Sequence, residues 1–128
     1  MTYKYKEEIF ETCERLLFKT KPDISIVPTV LNVLSRFYKK DLPFYTLKEK
    51  SIKEMIIKSH KTIENMTDLN SLDFKIILPL ISYLSELDRL VEINQKIIEK
   101  FMDGVVQRLD KMTNTELVIL FTAFMKME

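Results

Sequence analysis

Glycine, cysteine and tryptophan are almost missing from this sequence of 128 residues, which has one glycine, one cysteine and no tryptophan. One glycine cannot build a glycine-rich phosphate-binding loop, and it leaves little material for the tight turns of β-hairpins. The lone Cys13 cannot form an internal disulfide, so the sequence suits a reducing compartment or carries no redox constraint. No apolar run approaches the roughly 20 residues that span a membrane, and we expect no membrane partner.

The bulk composition favours a globular helical protein. The chain is 46% hydrophobic and 30% charged, as is common in globular proteins, and its length is that of one domain. No segment shows the strand-like alternation bounded by Asn-Gly or Asp-Gly turns that is typical of β-hairpins. We predict an all-α fold in one helical-repeat domain that spans residues 1–128.

Two stretches of the sequence repeat one pattern. Residues 63–68 align with residues 109–114 as apolar-x-x-Met-Thr-(Asp or Asn), and residues 73–78 align with residues 116–121. A fainter third copy lies within residues 16–34. Units of this length, each one helical hairpin, are typical of α-solenoids, because a single hairpin cannot bury its apolar stripe alone. The sequence therefore predicts about three stacked antiparallel hairpins, α-solenoid-like, with about six helices.

Apolar periodicity, capping residues and prolines give the bounds of the predicted helices. We expect residues 41–45 to form a loop, and two capping boxes, Thr46 with Glu49 and Thr113 with Glu116, to open the third and sixth helices. The first, third and fifth predicted helices span residues 3–19, 46–66 and 91–111. The second is capped by Asp23 or Ser25 and ends at Lys40, and the fourth is capped by Asn70 or Ser71. The sixth runs from residue 113 to the end of the chain.

Two residues inside the predicted helices oppose helix formation. Pro79 falls in the fourth helix, where it removes one backbone hydrogen bond. Gly104 falls in the fifth helix, where it costs about 1 kcal/mol relative to alanine. We interpret Gly104 as a point at which a neighbouring helix approaches closely.

Residue types that carry chemistry are sparse. His60 is the only histidine; it shares a helical face with Glu64, and no cluster of His, Cys and Asp has metal-ligand spacing. We interpret His60 as a structural or solvent-facing residue and Cys13 as a small core residue. The sequence predicts no enzyme, no metal site and no cofactor.

Basic residues are concentrated between Arg36 and Lys61, although the net charge of the chain is only +1. This segment contains eight Lys or Arg residues and only three carboxylates. Tyr38, Phe44 and Tyr45 lie between the basic residues in the sequence. Basic residues beside aromatic ones can hold phosphates and stack bases. The alternative interpretation is a solvated helix face with an aromatic residue of the turn tucked under the core. The candidate RNA-binding residues are Arg36, Lys39, Lys40, Lys50, Lys53, Lys58 and Lys61.

The predicted sixth helix carries an apolar face that no later helix in this chain can cover. Solenoids need polar caps at their ends. We therefore expect either that the chain is a fragment or that another protein or an RNA–protein surface completes the stack. The candidate partner-interface residues are Leu117, Leu120, Phe121, Phe124 and Met125.

The two clearer copies of the repeat share a helix motif. The motif reads Asp73-Phe74-x-x-Ile77-Leu78-x-x-Ile81-x-Tyr83-Leu84 in one copy and Glu116-Leu117-x-x-Leu120-Phe121-x-Ala123-Phe124-x-Lys126-Met127 in the other. This motif resembles the helical repeats of RNA-binding proteins from protist mitochondria and plastids, the heptatricopeptide and octotricopeptide classes. The likeness covers roughly the last two-thirds of the chain, and Pro79 and Leu80 depart from it. The resemblance implies organellar RNA binding and a mitochondrial location, such as in a mitochondrial ribosome.

Two functions follow as expectations. One is a helical-repeat RNA-binding or scaffold subunit of an organellar ribonucleoprotein, which has RNA and other protein subunits as partners. The alternative is a small helical protein–protein interaction adaptor, such as a virus-encoded helical bundle, with a groove for a partner helix and a cytoplasmic location.

Overall fold

A computed structural model describes residues 2–19, 21–66, 69 and 71–127 of the chain. These residues form six α-helices and a 3₁₀ segment and contain no strand, which confirms the all-α prediction. The helices are α1 Tyr3–Leu17, α2 Ile26–Lys40, α3 Leu42–Glu64, α4 Phe74–Glu86, α5 Gln95–Val105 and α6 Asn114–Lys126, and the 3₁₀ segment Val106–Lys111 extends α5. Within this described part of the chain, no helix is both long and apolar enough to cross a membrane.

The helices lie in two rows. In one row α4 packs between α2 and α6, and in the other α3 packs between α1 and α5. Helices α1 and α2 also pack against each other across the rows, as do α2 and α3. Alternation of odd and even helices between two rows is the arrangement of stacked helical hairpins.

The core lies between the two rows and is built from the apolar stripe of each helix. Ile52, Ile56 and Ile63, which periodicity assigns to the inner face of α3, are completely buried. Phe101 of α5 and Leu31 of α2 are completely buried as well. Because each such side chain contributes roughly 1.5–3 kcal/mol on burial, packing between the rows, more than helix propensity, holds the helices in place.

Helix α3 begins at Leu42, four residues before the predicted start. The Asp41 side chain caps it by accepting a hydrogen bond from the backbone N–H of Phe44 at 3.3 Å. The predicted loop at residues 41–45 is therefore wrong, and Thr46 lies inside the helix instead of capping it. Pro43 is compatible with this helix, because proline in the first turn of a helix lacks only an N–H that has no intrahelical partner there.

Other predicted caps also differ. Asp73 caps α4 by accepting a hydrogen bond from the N–H of Lys75 at 2.9 Å, so Ser71 is not the cap. Asn70, the other predicted cap, lies outside the described residues, as do Thr67 and Asp68 of the repeat pattern. Asp23 accepts from the N–H of Ser25 at 3.0 Å in the turn before α2, and Ser25 makes no side-chain cap bond.

The fifth predicted helix is shorter than expected, and the sixth begins as predicted. Asn94 caps α5 by accepting from the N–H of Ile97 at 3.0 Å, so the helix starts at Gln95, after the predicted residue 91. Beyond Val105 the chain continues as a 3₁₀ helix and not as an α-helix. The capping box of Thr113 and Glu116 is confirmed, with both reciprocal bonds present, at 3.1 and 2.8 Å.

Helix α5 is fastened to the connection between α3 and α4. A Cβ atom built on Gly104 would lie 2.8 Å from the Leu69 Cβ. The chain therefore does approach Gly104 closely, but it does so through this connection and not through the neighbouring helix that we predicted. The Arg108 guanidinium donates to the carbonyl oxygens of Leu72 and Leu69 at 2.6 and 3.2 Å. It also lies 4.7 Å from the centre of the Phe74 ring. These contacts fix the position of α5 and its 3₁₀ extension, which form one wall of the groove described below.

Candidate interaction groove

An apolar groove of about 580 Å³ runs between α6 and the segment formed by α5 and its 3₁₀ extension. All of its lining side chains are apolar. They are Ile98, Met102, Val105, Val106, Leu109, Leu117, Leu120, Phe121 and Phe124.

Large apolar side chains stay at the surface along this groove. Phe121 is 66% exposed, Val106 48% and Met102 42%, while Val105 and Leu120 are buried. Clusters of exposed apolar side chains mark interaction sites when they form large patches, so we take this groove as the candidate interaction surface. The groove therefore has buried residues at its base and large apolar residues at its rim.

The α6 wall follows directly from the sequence. Leu117, Leu120, Phe121 and Phe124 are spaced i, i+3, i+4 and i+7, so an α-helix places them on one face. The capping box at Thr113 sets the start of this helix. Because α4 packs against α6 and Phe121 remains mostly exposed, the groove lies on the side of α6 that α4 leaves uncovered.

Four of the five predicted partner-interface residues line the groove, and the fifth, Met125, lies on the same helix with 55% of its surface exposed. The wall contributed by α5 was not predicted, because periodicity assigns Val105, Val106 and Leu109 to the core stripe of that helix. The sequence feature that could have predicted this wall is the width of the apolar stripe. Met102 and Val106, which are four residues apart, make the stripe wider than the face of the helix that is buried.

The seven predicted RNA-binding residues fall on two helices, and three of them engage neighbours. Lys39 lies 2.9 Å from the Glu86 carboxylate of α4. Arg36 donates to Asn32 at 3.1 Å, and Lys53 donates to Glu49 at 3.2 Å. The remaining four are Lys40 on α2 and Lys50, Lys58 and Lys61 on the outer side of α3.

The aromatic residues of the same segment do not present free faces. Phe44 and Tyr45 are buried in the core, and Phe44 packs 4.5 Å from Phe37 between ring centres. Tyr38 is half-buried with its ring 5.1 Å from that of Tyr45. The burial of Phe44 and Tyr45 agrees with the alternative interpretation, in which an aromatic residue of the turn lies under the core. RNA binding by the basic residues stays a prediction.

Glu86 joins the carboxyl-terminal ends of the three even-numbered helices. Its carboxylate accepts a hydrogen bond from the Ser35 hydroxyl at 2.8 Å and lies 2.9 Å from Lys39 of α2 and 4.0 Å from Lys126 of α6. Desolvation would raise the pKa of Glu86, but the bonds from Lys39 and Ser35 outweigh it and hold the pKa below its usual value. The contact shows that neighbouring helices of this row run in the same direction.

His60 and Cys13 are both core residues. His60 is 7% exposed and its Nε2 atom has no hydrogen-bond partner among the described residues, so it is structural and not solvent-facing. Desolvation lowers the pKa of His60, and the carboxylates of Glu64 and Asp88 oppose that shift. Burial raises the pKa of the Cys13 thiol. In the part of the chain that the structure covers, no three His, Cys, Asp or Glu side chains converge as metal ligands.

A second groove, of about 730 Å³, lies at the opposite end of the stack between α1 and α2. The sequence did not predict it. Its lining mixes apolar side chains with two threonines and one carboxylate: Tyr5, Glu8, Ile9, Thr12, Cys13, Leu16, Thr29 and Val33.

Comparison with known proteins gives no relative for this chain. No protein-family model matches the sequence, and neither a curated protein nor a solved structure matches it significantly. The resemblance to heptatricopeptide and octotricopeptide repeats stays a prediction.

Proposed function

We propose that this protein is a helical scaffold subunit of a larger protein assembly, and that it binds a helical hairpin of its partner in the groove between α5 and α6. The unbroken apolar lining of that groove supports this proposal. Side chains such as Phe121 and Val106 are partly exposed in the isolated chain, and covering their exposed parts would contribute a fraction of the about 1.5–3 kcal/mol that full burial of such a side chain gives.

The arrangement of the helices indicates what kind of partner fits. Each hairpin of the stack is covered by the next one, since α4 packs on α2 and α6 packs on α4, while α3 and α5 pack in the parallel row. The groove lies between the last helix of each row. A further hairpin placed there would continue both rows and cover the rim residues Met102 and Phe121, as helix-in-groove recognition does elsewhere.

RNA binding is the competing function, and it uses a different surface. It would place the ligand along Lys50, Lys58 and Lys61 on α3, away from the groove. Leu47 is 61% exposed and precedes Lys50 by three residues on the same helix, so a crosslinking group at this position would detect a ligand bound to that surface. Met125 is 55% exposed on α6, so a crosslinking group at this position would detect a partner bound at the groove.

Photocrosslinking from these two positions tests the proposal. A photoreactive benzophenone-alanine replaces Met125 in one variant and Leu47 in another. Each variant is irradiated in an extract of the cells that produce the protein. The adducts are then mapped by mass spectrometry. We expect a protein adduct at position 125 that maps to a helical hairpin and that Phe121→Glu abolishes. Nucleic-acid adducts at position 47, with no specific protein adduct at position 125, would refute the groove as the functional surface and favour RNA binding.

A further inference from the structure

We propose that the hairpin which covers the α5–α6 groove is the α1–α2 hairpin of a second copy of this chain, so that copies stack head to tail. This inference rests on the proposed function and names the partner of that site. It follows from the two ends of the stack taken together, because each end presents a groove and the two grooves belong to equivalent pairs of helices.

The α1–α2 hairpin has an uncovered side of its own. Ile9 and Tyr5 are 37% and 56% exposed along the groove between α1 and α2, and Leu16 and Val33 are only half-buried there. Thr12 and Thr29 are exposed between these apolar residues and are small enough to allow another helix to approach. The groove is therefore a surface on which helices can pack, although it is less uniformly apolar than the one at the other end.

The two grooves occupy corresponding places in the stack. Helices α1 and α2 begin the odd and even rows, and α5 and α6 end them. If α1 of a second copy followed α5, and α2 of that copy followed α6, both rows would continue with the same succession of helices as inside the chain. The contacts of α2 with α4 and of α4 with α6 are the internal precedent for this interface.

One head-to-tail interface would bury both grooves. A two-fold symmetric dimer through α5 and α6 would instead pair like surfaces and leave the α1–α2 groove of each copy open. A heterologous interface also leaves one free groove of each kind at the ends of any open assembly. Copies would therefore keep adding as concentration rises, unless the rotation between copies closes a ring.

Two charge substitutions can block one groove each. Phe121→Glu puts a carboxylate on an exposed position of the α5–α6 groove, and Thr29→Glu does so in the α1–α2 groove, near the amino terminus of α2 where negative charge is tolerated well. Leu47→Glu, at an equally exposed apolar position on α3, is the matched control. None of these changes removes a buried side chain, and circular dichroism verifies that each variant is folded.

Sedimentation equilibrium of the purified chain tests whether copies associate head to tail. We expect the average mass of the unmodified chain and of Leu47→Glu to rise with concentration, while Phe121→Glu and Thr29→Glu each weaken association at least about tenfold. An equimolar mixture of the two blocked variants should form a one-to-one dimer and nothing larger, since one open groove of each kind remains.

Two results would overturn head-to-tail stacking. An unmodified chain that stays monomeric at every concentration excludes it, and so does a Thr29→Glu variant that still dimerises while Phe121→Glu does not. If a hairpin of a different protein is then crosslinked at position 125, the scaffold function stands and only the identity of the partner is wrong. If no groove adduct forms either, both proposals fail.

Discussion

Gly104 and Leu69 lie so close together that a Cβ atom on the glycine would fall 2.8 Å from the Cβ of Leu69. That separation is too short for two side-chain carbons, so the connection between α3 and α4 sits against the bare backbone of α5. The Arg108 guanidinium holds the same connection through the carbonyl oxygens of Leu69 and Leu72. The α5 wall of the groove therefore depends on a contact that only glycine permits.

Gly104→Ala should destabilise the protein even though alanine is the better helix former. The alanine gains about 0.5–1 kcal/mol in helix propensity, but overpacking against Leu69 costs about 1–3 kcal/mol. We expect a net loss of about 1 kcal/mol in urea denaturation. Lys96→Ala, at an exposed position of the same helix, should stay within about 0.5 kcal/mol of the unmodified chain. A stabilised Gly104→Ala variant would show that Leu69 moves away freely.

The start of α3 can be located by substitution. Asp41→Ala removes the side chain that accepts from the Phe44 N–H and pairs with Lys6, so we expect it to lower the thermal unfolding midpoint. Thr46→Ala should leave the midpoint unchanged or raise it slightly, because Thr46 is exposed inside a helix and alanine has the higher helix propensity. The opposite order of effects would mean that the helix starts at Thr46.

The stability of the protein should decrease as the pH falls from 7 to 5, because of His60. Desolvation lowers the pKa of buried His60 from its ordinary value of 6.5, so the unfolded chain binds a proton more readily than the folded one. Folding stability therefore declines as the pH passes below the ordinary histidine pKa. Urea denaturation at several pH values should show this slope in the unmodified chain.

His60→Met, which keeps a large apolar side chain at that position, provides the comparison for this pH dependence. Because His60 is the only histidine, the slope between pH 7 and 5 should disappear in the variant. An unchanged slope would assign the pH dependence to groups other than His60.

Glu86→Gln should weaken the junction of α2, α4 and α6 more at neutral pH than in acid. The pKa of Glu86 lies below its usual value of 4.5 through its bonds to Lys39 and Ser35, so its contribution is present above that value and is lost as the pH falls through the lower folded pKa. We expect Glu86→Gln to lower the urea midpoint at pH 7, and we expect the difference from the unmodified chain to shrink as the pH falls below the ordinary glutamate pKa of 4.5. Glu92→Gln, at an exposed position, is the control and should have no effect at pH 7.

Local patterns predicted some elements well because they involve neighbouring residues. The Thr113 and Glu116 capping box and the apolar face of α6 depend on spacings of three and four residues, and both are confirmed. Asp41 was missed because Pro43 fits both a loop and the first turn of a helix. The change from α to 3₁₀ helix at Val106 has no local signal that separates the two helix types.

The parts of the site that involve distant residues could not be read from the sequence. The α5 wall of the groove requires knowing that Met102 and Phe121, which lie on different helices, face the same space. The contact of Lys39 with Glu86 of α4 depends on how the even-numbered helices pack, so no local pattern predicts it. Phe44 and Tyr45 fall in a predicted loop, whereas the helix that starts at Leu42 places them in the core.

Size-exclusion chromatography of cell extracts tests most directly whether the groove joins this protein to a protein assembly. Tagged chains carrying no change, Phe121→Glu or Leu47→Glu, each produced as the sole copy of the protein in its cells, are compared with and without ribonuclease treatment. We predict that the unmodified chain and Leu47→Glu elute with a large complex that ribonuclease leaves intact, whereas Phe121→Glu elutes at the mass of the monomer. A Phe121→Glu chain that stays in the complex, or an unmodified chain that ribonuclease releases, would refute the proposed role of the groove.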